Sequence, residues 1–365
     1  MKKLIAIAAL LLSTLQAGAS STLPIEGSFF NASNPHIMYM GRVCFATEGV
    51  ASFNYPGTTI TTGFEGTSLK AVCRPKTGYF MAQIDNAAPF KVAFNAERDS
   101  VVTLATALNN GPHTVRMMYI IEGLFRTPEF RGFVLDKGCQ LSNPKPLPER
   151  RIEFIGNSIT CGYGVESTAF HDPYEDETEN HMLTYANIVS DSLQAQHTSI
   201  SRSGIGAYRN YNGPSNGSPD NMNYQYGFTL FNHPEYGQWD FANYQPQLVC
   251  INLGTNDFST PGYKVPLFEQ GYRKLLATVR EKYPDAKIVL MSGPMLEENE
   301  NNLVKTAINK ICKDYNRHGD KRIYRFDFTP QTGSLGYGAS GHPSKLQHEA
   351  MAAELLPFLR QIMNW

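Results

Sequence analysis

The chain has 365 residues, a net charge of −1, and is 18% charged, 12% aromatic and 42% hydrophobic. That length exceeds one ordinary domain and points to two. A near-neutral chain without basic runs lacks the electrostatic footprint of a nucleic-acid binder, and its many Tyr, Asn and Gly residues suit a polar, uncharged ligand such as a sugar.

Met1-Lys-Lys3, the apolar run Leu4 to Leu12 and Ala17-Gly-Ala19 form a basic, an apolar and a cleavage region in succession. This is the pattern of a secretory signal peptide over residues 1–19, cut after Ala19. The apolar run is too short to remain as a membrane span, so an exported protein without membrane insertion is expected. Residues 20–140 read as an all-β sandwich of jelly-roll type. Short runs such as His36–Met40, Tyr79–Ile84, Phe90–Phe94 and Thr114–Ile121 are separated by Gly, Asn and Pro turn residues. A rigid scaffold is favoured for this domain over a sugar-binding module.

Six cysteines are present, and export permits disulfides. Cys44 with Cys73, and Cys139 with Cys161, are the candidate pairs by domain membership and nearness to the linker. Cys250, inside the apolar run Leu248–Ile251, is expected to be a buried free thiol. Neither a C-x-x-C nor an H-E-x-x-H motif occurs, so no metal is expected.

Residues 141–149 are proline-rich and read as an extended linker. From residue 150 to 365 strands and helices alternate. Strands are expected at Ile152–Ile155, Thr198–Ser201, Leu248–Leu253, Lys287–Met291 and Arg322–Phe326. Helices are expected at His181–Gln194, Pro266–Tyr283, Asn299–His318 and Ser344–Met363. The alternation predicts an α/β fold, a parallel sheet covered by helices on both faces. The acidic run Asp172–Glu179 reads as a solvated loop in preference to a calcium site.

Four short blocks follow strands or precede the last helix: Gly156-Asn-Ser158, Ser203-Gly204, Gly254-Thr-Asn256-Asp257 and His342-Pro343. In open α/β sheets the chemistry sits at the carboxyl ends of strands. Ser158 is the candidate nucleophile, on a sharp turn. The Ser158 and Gly204 backbone N–H groups and the Asn256 side-chain amide are candidate oxyanion donors. Glycine at 204 lets main chain approach a substrate, and Asn256 offers a neutral donor. Asp257 is expected to be a structural acceptor. His342, just ahead of the terminal helix, is the candidate base.

In this order the blocks resemble the SGNH (GDSL-like) hydrolases over residues 150–365, and most closely the carbohydrate esterases of family 2, the acetyl xylan esterase type, which place a β-sandwich in front of such a domain. The resemblance implies a three-layer α/β/α domain with flavodoxin-like strand order, these residue roles, and no cofactor. One departure stands out: most SGNH enzymes carry an Asp two or three residues before the histidine, and here those positions are Ala339 and Ser340. Either His342 is oriented by a backbone carbonyl in a Ser–His dyad, or an acid comes from elsewhere, with Asp327 as the candidate.

The stretch from Gly204 to Asp240 is rich in aromatics, and Trp239 is the residue singled out for substrate contact. The expected function is an exported esterase that removes O-acetyl groups from plant cell-wall polysaccharide or its oligosaccharides. The alternatives are a lipase or thioesterase on longer acyl chains, and a non-catalytic carbohydrate-binding protein.

Overall fold

A computed structural model describes residues 25–98, 100–123 and 126–365; the leader expected over residues 1–19 and its cleavage point lie outside them. The first domain contributes strands Ser28–Asn31 (β1), Met38–Met40 (β2), Ala51–Ser52 (β3), Thr59–Gly66 (β4), Leu69–Cys73 (β5), Gly78–Ile84 (β6), Phe90–Phe94 (β7), Ser100–Ala105 (β8), Gly111–Tyr119 (β9), Glu129–Leu135 (β10) and Leu141–Ser142 (β11). One antiparallel sheet runs β1-β10-β5-β8 with β3 against β10; the other runs β11-β4-β9-β6-β7 with β2 against β4. Burial alternates strictly along β6, so one face of it enters the core. There Phe80, Phe53 and Tyr119 meet edge to face, with centroids 5.2–6.0 Å apart. Because β11 pairs with Phe64 and Gly63 of β4, the first two residues of the expected linker belong to the sandwich.

The second domain holds strands Arg150–Gly156 (β12), Ala195–Ser201 (β13), Leu248–Asn252 (β14), Lys287–Ser292 (β15) and Ile323–Asp327 (β16) in the parallel order β13-β12-β14-β15-β16. β14 and β15 are continuously apolar at the centre because both faces are covered. Its helices are Ser158–Cys161 (α1), Tyr185–Ser192 (α2), Met222–Gln225 (α3), Thr255–Phe258 (α4), Val265–Lys282 (α5), Glu298–Arg317 (α6) and Lys345–Met363 (α7). On one face Ile155 and Ile251 pack with Leu276 of α5 and Ile308 of α6. On the other, Phe154 and Cys250 pack with Val189 of α2 and Leu355 of α7. The helix expected from His181 to Gln194 is broken. His181–Leu183 form a 3-10 turn, and extended Thr184 then caps α2 by accepting from the Asn187 N–H.

The two domains share a polar, aromatic boundary. Arg42 is buried; its Nη1 donates to the carbonyls of Tyr226 and Phe228, 2.6 and 2.8 Å away. Its guanidinium lies 5.1–5.7 Å from the ring centroids of Tyr55, Tyr226, Trp239 and Phe241. Glu153 of β12 lies 3.9 Å from Arg42 and accepts from the hydroxyls of Tyr226 and Tyr283. Asn54 and Phe231 exchange a reciprocal pair of hydrogen bonds, both 2.8 Å.

All six cysteines are free thiols, which corrects both expected pairs. Cys73 points into the sandwich core, whereas Cys44 sits on a bridge to Ser52. Cys161 lies beneath the turn of Ser158, 3.3 Å from Ser201 Oγ, in a different domain from Cys139. Cys250 is fully buried, and burial pushes its thiol up. The acidic run is solvated along most of its length, with Glu175 and Glu177 exposed, and is corrected at its end, where Glu179 is completely buried.

Candidate active site

β12 ends at Gly156, and Asn157 caps the short helix α1 by accepting from the Ile159 N–H at 3.0 Å. Ser158 therefore opens a helix, where its own N–H has no intrahelical acceptor. From the other side of the sheet edge, the loop before α7 brings His342 over it, with Nε2 2.9 Å from Ser158 Oγ. Gly164 makes this approach possible. It has φ +56°, and a Cβ there would sit 2.2 Å from the Cβ of Ala339. Its carbonyl accepts from the Ala339 N–H at 3.0 Å, tying the serine loop to the histidine loop.

His342 Nδ1 faces the carbonyl of Ala339 at 3.0 Å. A carbonyl only accepts, so Nδ1 carries the proton and Nε2 is left to accept from the Ser158 hydroxyl. Burial holds the imidazole down to about 4, against backbone hydrogen bonds at Ala339 and Ser340 that favour the charged form. Asp327 takes no part in this, which corrects its candidacy as orienting acid. Its carboxylate accepts from Ser292 Oγ at 2.7 Å and pairs with Arg325. The ring of Tyr163 stacks on His342, and Tyr174 stacks in turn on Tyr163.

Ser158, Gly204, Asn256 and His342 line one pocket of about 350 Å³ together with Tyr163, Tyr211 and Met295. Gly204 has φ +78°, and its N–H has no acceptor among the described residues. Asn256 spends one amide hydrogen on the Ile205 carbonyl at 2.8 Å, leaving the second for a ligand. Asp257 is buried and accepts from the N–H groups of Ala207, Tyr208 and Arg209 at 2.9–3.0 Å, so it shapes the loop after Gly204. Desolvation lifts it to about 6 against those donors.

Trp239 is placed elsewhere, a second correction: it covers Arg42 at the domain boundary and is not part of the pocket wall. Half of the insert's aromatics are interior packing: Tyr208, Tyr226, Phe228 and Phe231 are buried. Exposed Tyr211 is the insert aromatic that reaches the pocket. Tyr163, five residues after Ser158, was not singled out, and the Ala339 carbonyl carries no side-chain signal at all.

A Ser–His pair at the strand ends of this sheet order, with Gly204 and Asn256 lining the same pocket, describes an ester hydrolase of the SGNH type. Residues 152–355 match the GDSL-like lipase/acylhydrolase family and residues 39–145 the carbohydrate esterase 2 N-terminal domain. The chain belongs to the GDSL-like family and, within it, to the family 2 carbohydrate esterases.

The acetylxylan esterase/glucomannan deacetylase of Cellvibrio japonicus is 30% identical over 336 residues, covering 92% of this chain and 91% of that protein. The cellulase/esterase CelE of Acetivibrio thermocellus is 37% identical over 91% of this chain, which spans 40% of that protein's length. A family two carbohydrate esterase from Clostridium thermocellum, solved in complex with cellohexaose, superposes with a TM-score of 0.82 at 35% identity, covering 90% of this chain and 99% of that one.

Proposed function

We propose that this carbohydrate esterase is exported and removes O-acetyl groups from plant cell-wall polysaccharide, xylan or glucomannan. Ser158 Oγ attacks the acetyl carbonyl while His342 Nε2 takes its proton. The oxyanion is met by the N–H groups of Ser158 and Gly204 and by the Asn256 amide. His342 then returns the proton to the departing sugar hydroxyl, and water repeats the cycle on the acetyl-enzyme to release acetate. The Ala339 carbonyl keeps the imidazole in the tautomer each step needs.

The 2.9 Å approach of His342 Nε2 to Ser158 Oγ inside a small pocket is the observation that carries this reading. A pocket of about 350 Å³ suits a short acyl group. Through Met295 and Ser340 it borders a cleft of about 610 Å³ lined by Phe170, Asn301 and Gln331, room for a neighbouring stretch of polymer. The acetylxylan esterase/glucomannan deacetylase of Cellvibrio, and the cellohexaose bound by the similar clostridial structure, support a polysaccharide substrate.

Acetate release from acetylated xylan and glucomannan, beside para-nitrophenyl acetate and octanoate, tests it. Wild type should release acetate and ignore octanoate, and Ser158→Ala should turn over neither ester. Octanoate turnover equal to acetate would favour a lipase or thioesterase. Folded protein inert on every ester would favour a binding protein. Recovery of a mature chain beginning at Ser20 outside the cytoplasm tests export.

A further inference from the structure

Resting on the esterase reading of Ser158 and His342, we propose that Glu122 of the sandwich domain is a positioning residue for the oxyanion hole. Its carboxylate would hold the peptide next to the one that carries the Gly204 donor. Glu122 follows β9, is buried, and accepts from the Ser203 N–H at 2.6 Å through Oε2. Ser203 is joined directly to Gly204.

Gly204 gains from such a tether because side-chain packing does little to hold it. It has φ +78°, and a Cβ built there would meet only Tyr211, 3.8 Å away. The open space admits a substrate but provides no packing to fix the backbone, and glycine is the residue least able to fix itself. Hydrogen bonds along the turn compensate: the Ser203 carbonyl accepts from Arg202 Nε at 3.2 Å and the Arg202 carbonyl from the Ile205 N–H at 3.3 Å. The Gly204 carbonyl accepts from the Tyr211 N–H at 2.7 Å, and the preceding N–H is taken by Glu122. An oxyanion donor is useful only when its direction is set in advance.

Glu122 is itself fixed from below. Its own N–H donates to Glu179 Oε2 at 3.0 Å, and the same oxygen accepts from the Tyr174 hydroxyl at 2.6 Å. Tyr174 supports the stack of Tyr163 on His342. The two buried carboxyl groups thus bear on both halves of the site, one through the oxyanion loop and one through the ring stack. Burial pushes both carboxyls up, with Glu122 repelling Glu179 and Asp176 repelling both. Either protonation state of Glu122 still offers an oxygen to Ser203.

The test uses the full chain, para-nitrophenyl acetate and protein standardised by active-site titration. E122M removes the acceptor at nearly constant volume; E122Q keeps a carbonyl oxygen in place. E122M is expected to lower kcat by about tenfold or more with KM nearly unchanged, and E122Q to restore kcat to within about threefold of wild type. If E122M does not fold, E122D, which withdraws the acceptor by one methylene, carries the same expectation. A folded E122M (or E122D in its place) with wild-type kcat overturns the proposal. So does a folded E122Q as impaired as E122M. Wild type without Ser158-dependent turnover brings down the esterase reading and this proposal together. Turnover lost in Ser158→Ala but unchanged across the Glu122 series overturns this proposal alone.

Discussion

The imidazole of His342 lies face to face with the ring of Tyr163, centroids 4.1 Å apart and planes 26° from parallel. With no carboxylate on Nδ1, this stack and the Ala339 carbonyl together fix the ring's orientation. Aromatic pairs of this kind add roughly 0.5–1.5 kcal/mol beyond buried area. Tyr163→Phe should therefore keep kcat close to wild type, and Tyr163→Leu should lower it by up to about tenfold. Steady-state kinetics on an aryl acetate separates the two, with circular dichroism as the control for folding.

The pH profile follows from the same ring. His342 must be neutral to accept a proton, and burial holds it down to about 4. The rate kcat/KM should rise with unit slope through about pH 4 and stay level to neutrality. An exposed imidazole would place that limb near pH 6.5 or so. The stability linked to this group is complete above its unfolded value and is lost as pH falls through its folded one. Near-UV spectra must accompany each point to keep acid unfolding apart from titration. Asp327→Asn should leave the limb and kcat where they are. A shift of the limb, or a large loss of rate, would reinstate Asp327 as a partner of His342.

Tyr211 is exposed at the pocket mouth. If its face supports a sugar ring, Tyr211→Ala should raise KM for acetylated polysaccharide several-fold. The same variant should leave kcat on para-nitrophenyl acetate within about twofold, since uniform binding is what is removed. Equal losses on both substrates would move Tyr211 from sugar recognition to support of the Gly204 loop.

Arg42 is expected to matter for stability. Its Nη2 is 3.9 Å from Glu153 and has no hydrogen-bond partner among the described residues, so the ion pair is loose. The two short bonds to main-chain carbonyls and the surrounding aromatic faces hold the guanidinium more firmly. Arg42→Ala strands a buried carboxylate and should cost about 3–5 kcal/mol in urea unfolding. Arg42→Met with Glu153→Gln should recover part of that loss, since the uncompensated charge is gone.

Ser158, Gly204, Asn256 and His342 were legible because each sits in a short turn whose residue types answer to local geometry. The parallel sheet was legible chiefly through β14 and β15, whose covered faces leave them apolar through the centre. Asp327 misled because the group on His342 Nδ1 is a main-chain oxygen, which any residue could supply. Trp239 misled because its partner, Arg42, lies in the other domain, and sequence does not disclose that encounter. Glu122 was invisible for the same reason, 81 residues ahead of the Ser203 amide it accepts from. The break at Thr184 was a local matter; an apolar pattern runs across a cap without marking it.

The six reduced thiols have a practical corollary. Cohesion between and within the halves comes from packing, aromatic edges and hydrogen bonds, none of which needs an oxidant to form. The polypeptide should therefore mature as well in a reducing cytosol as outside it, and tolerate dithiothreitol during purification and storage. Manufacture of the catalyst at scale is thereby freed from disulfide isomerases and from the scrambled products that accompany them.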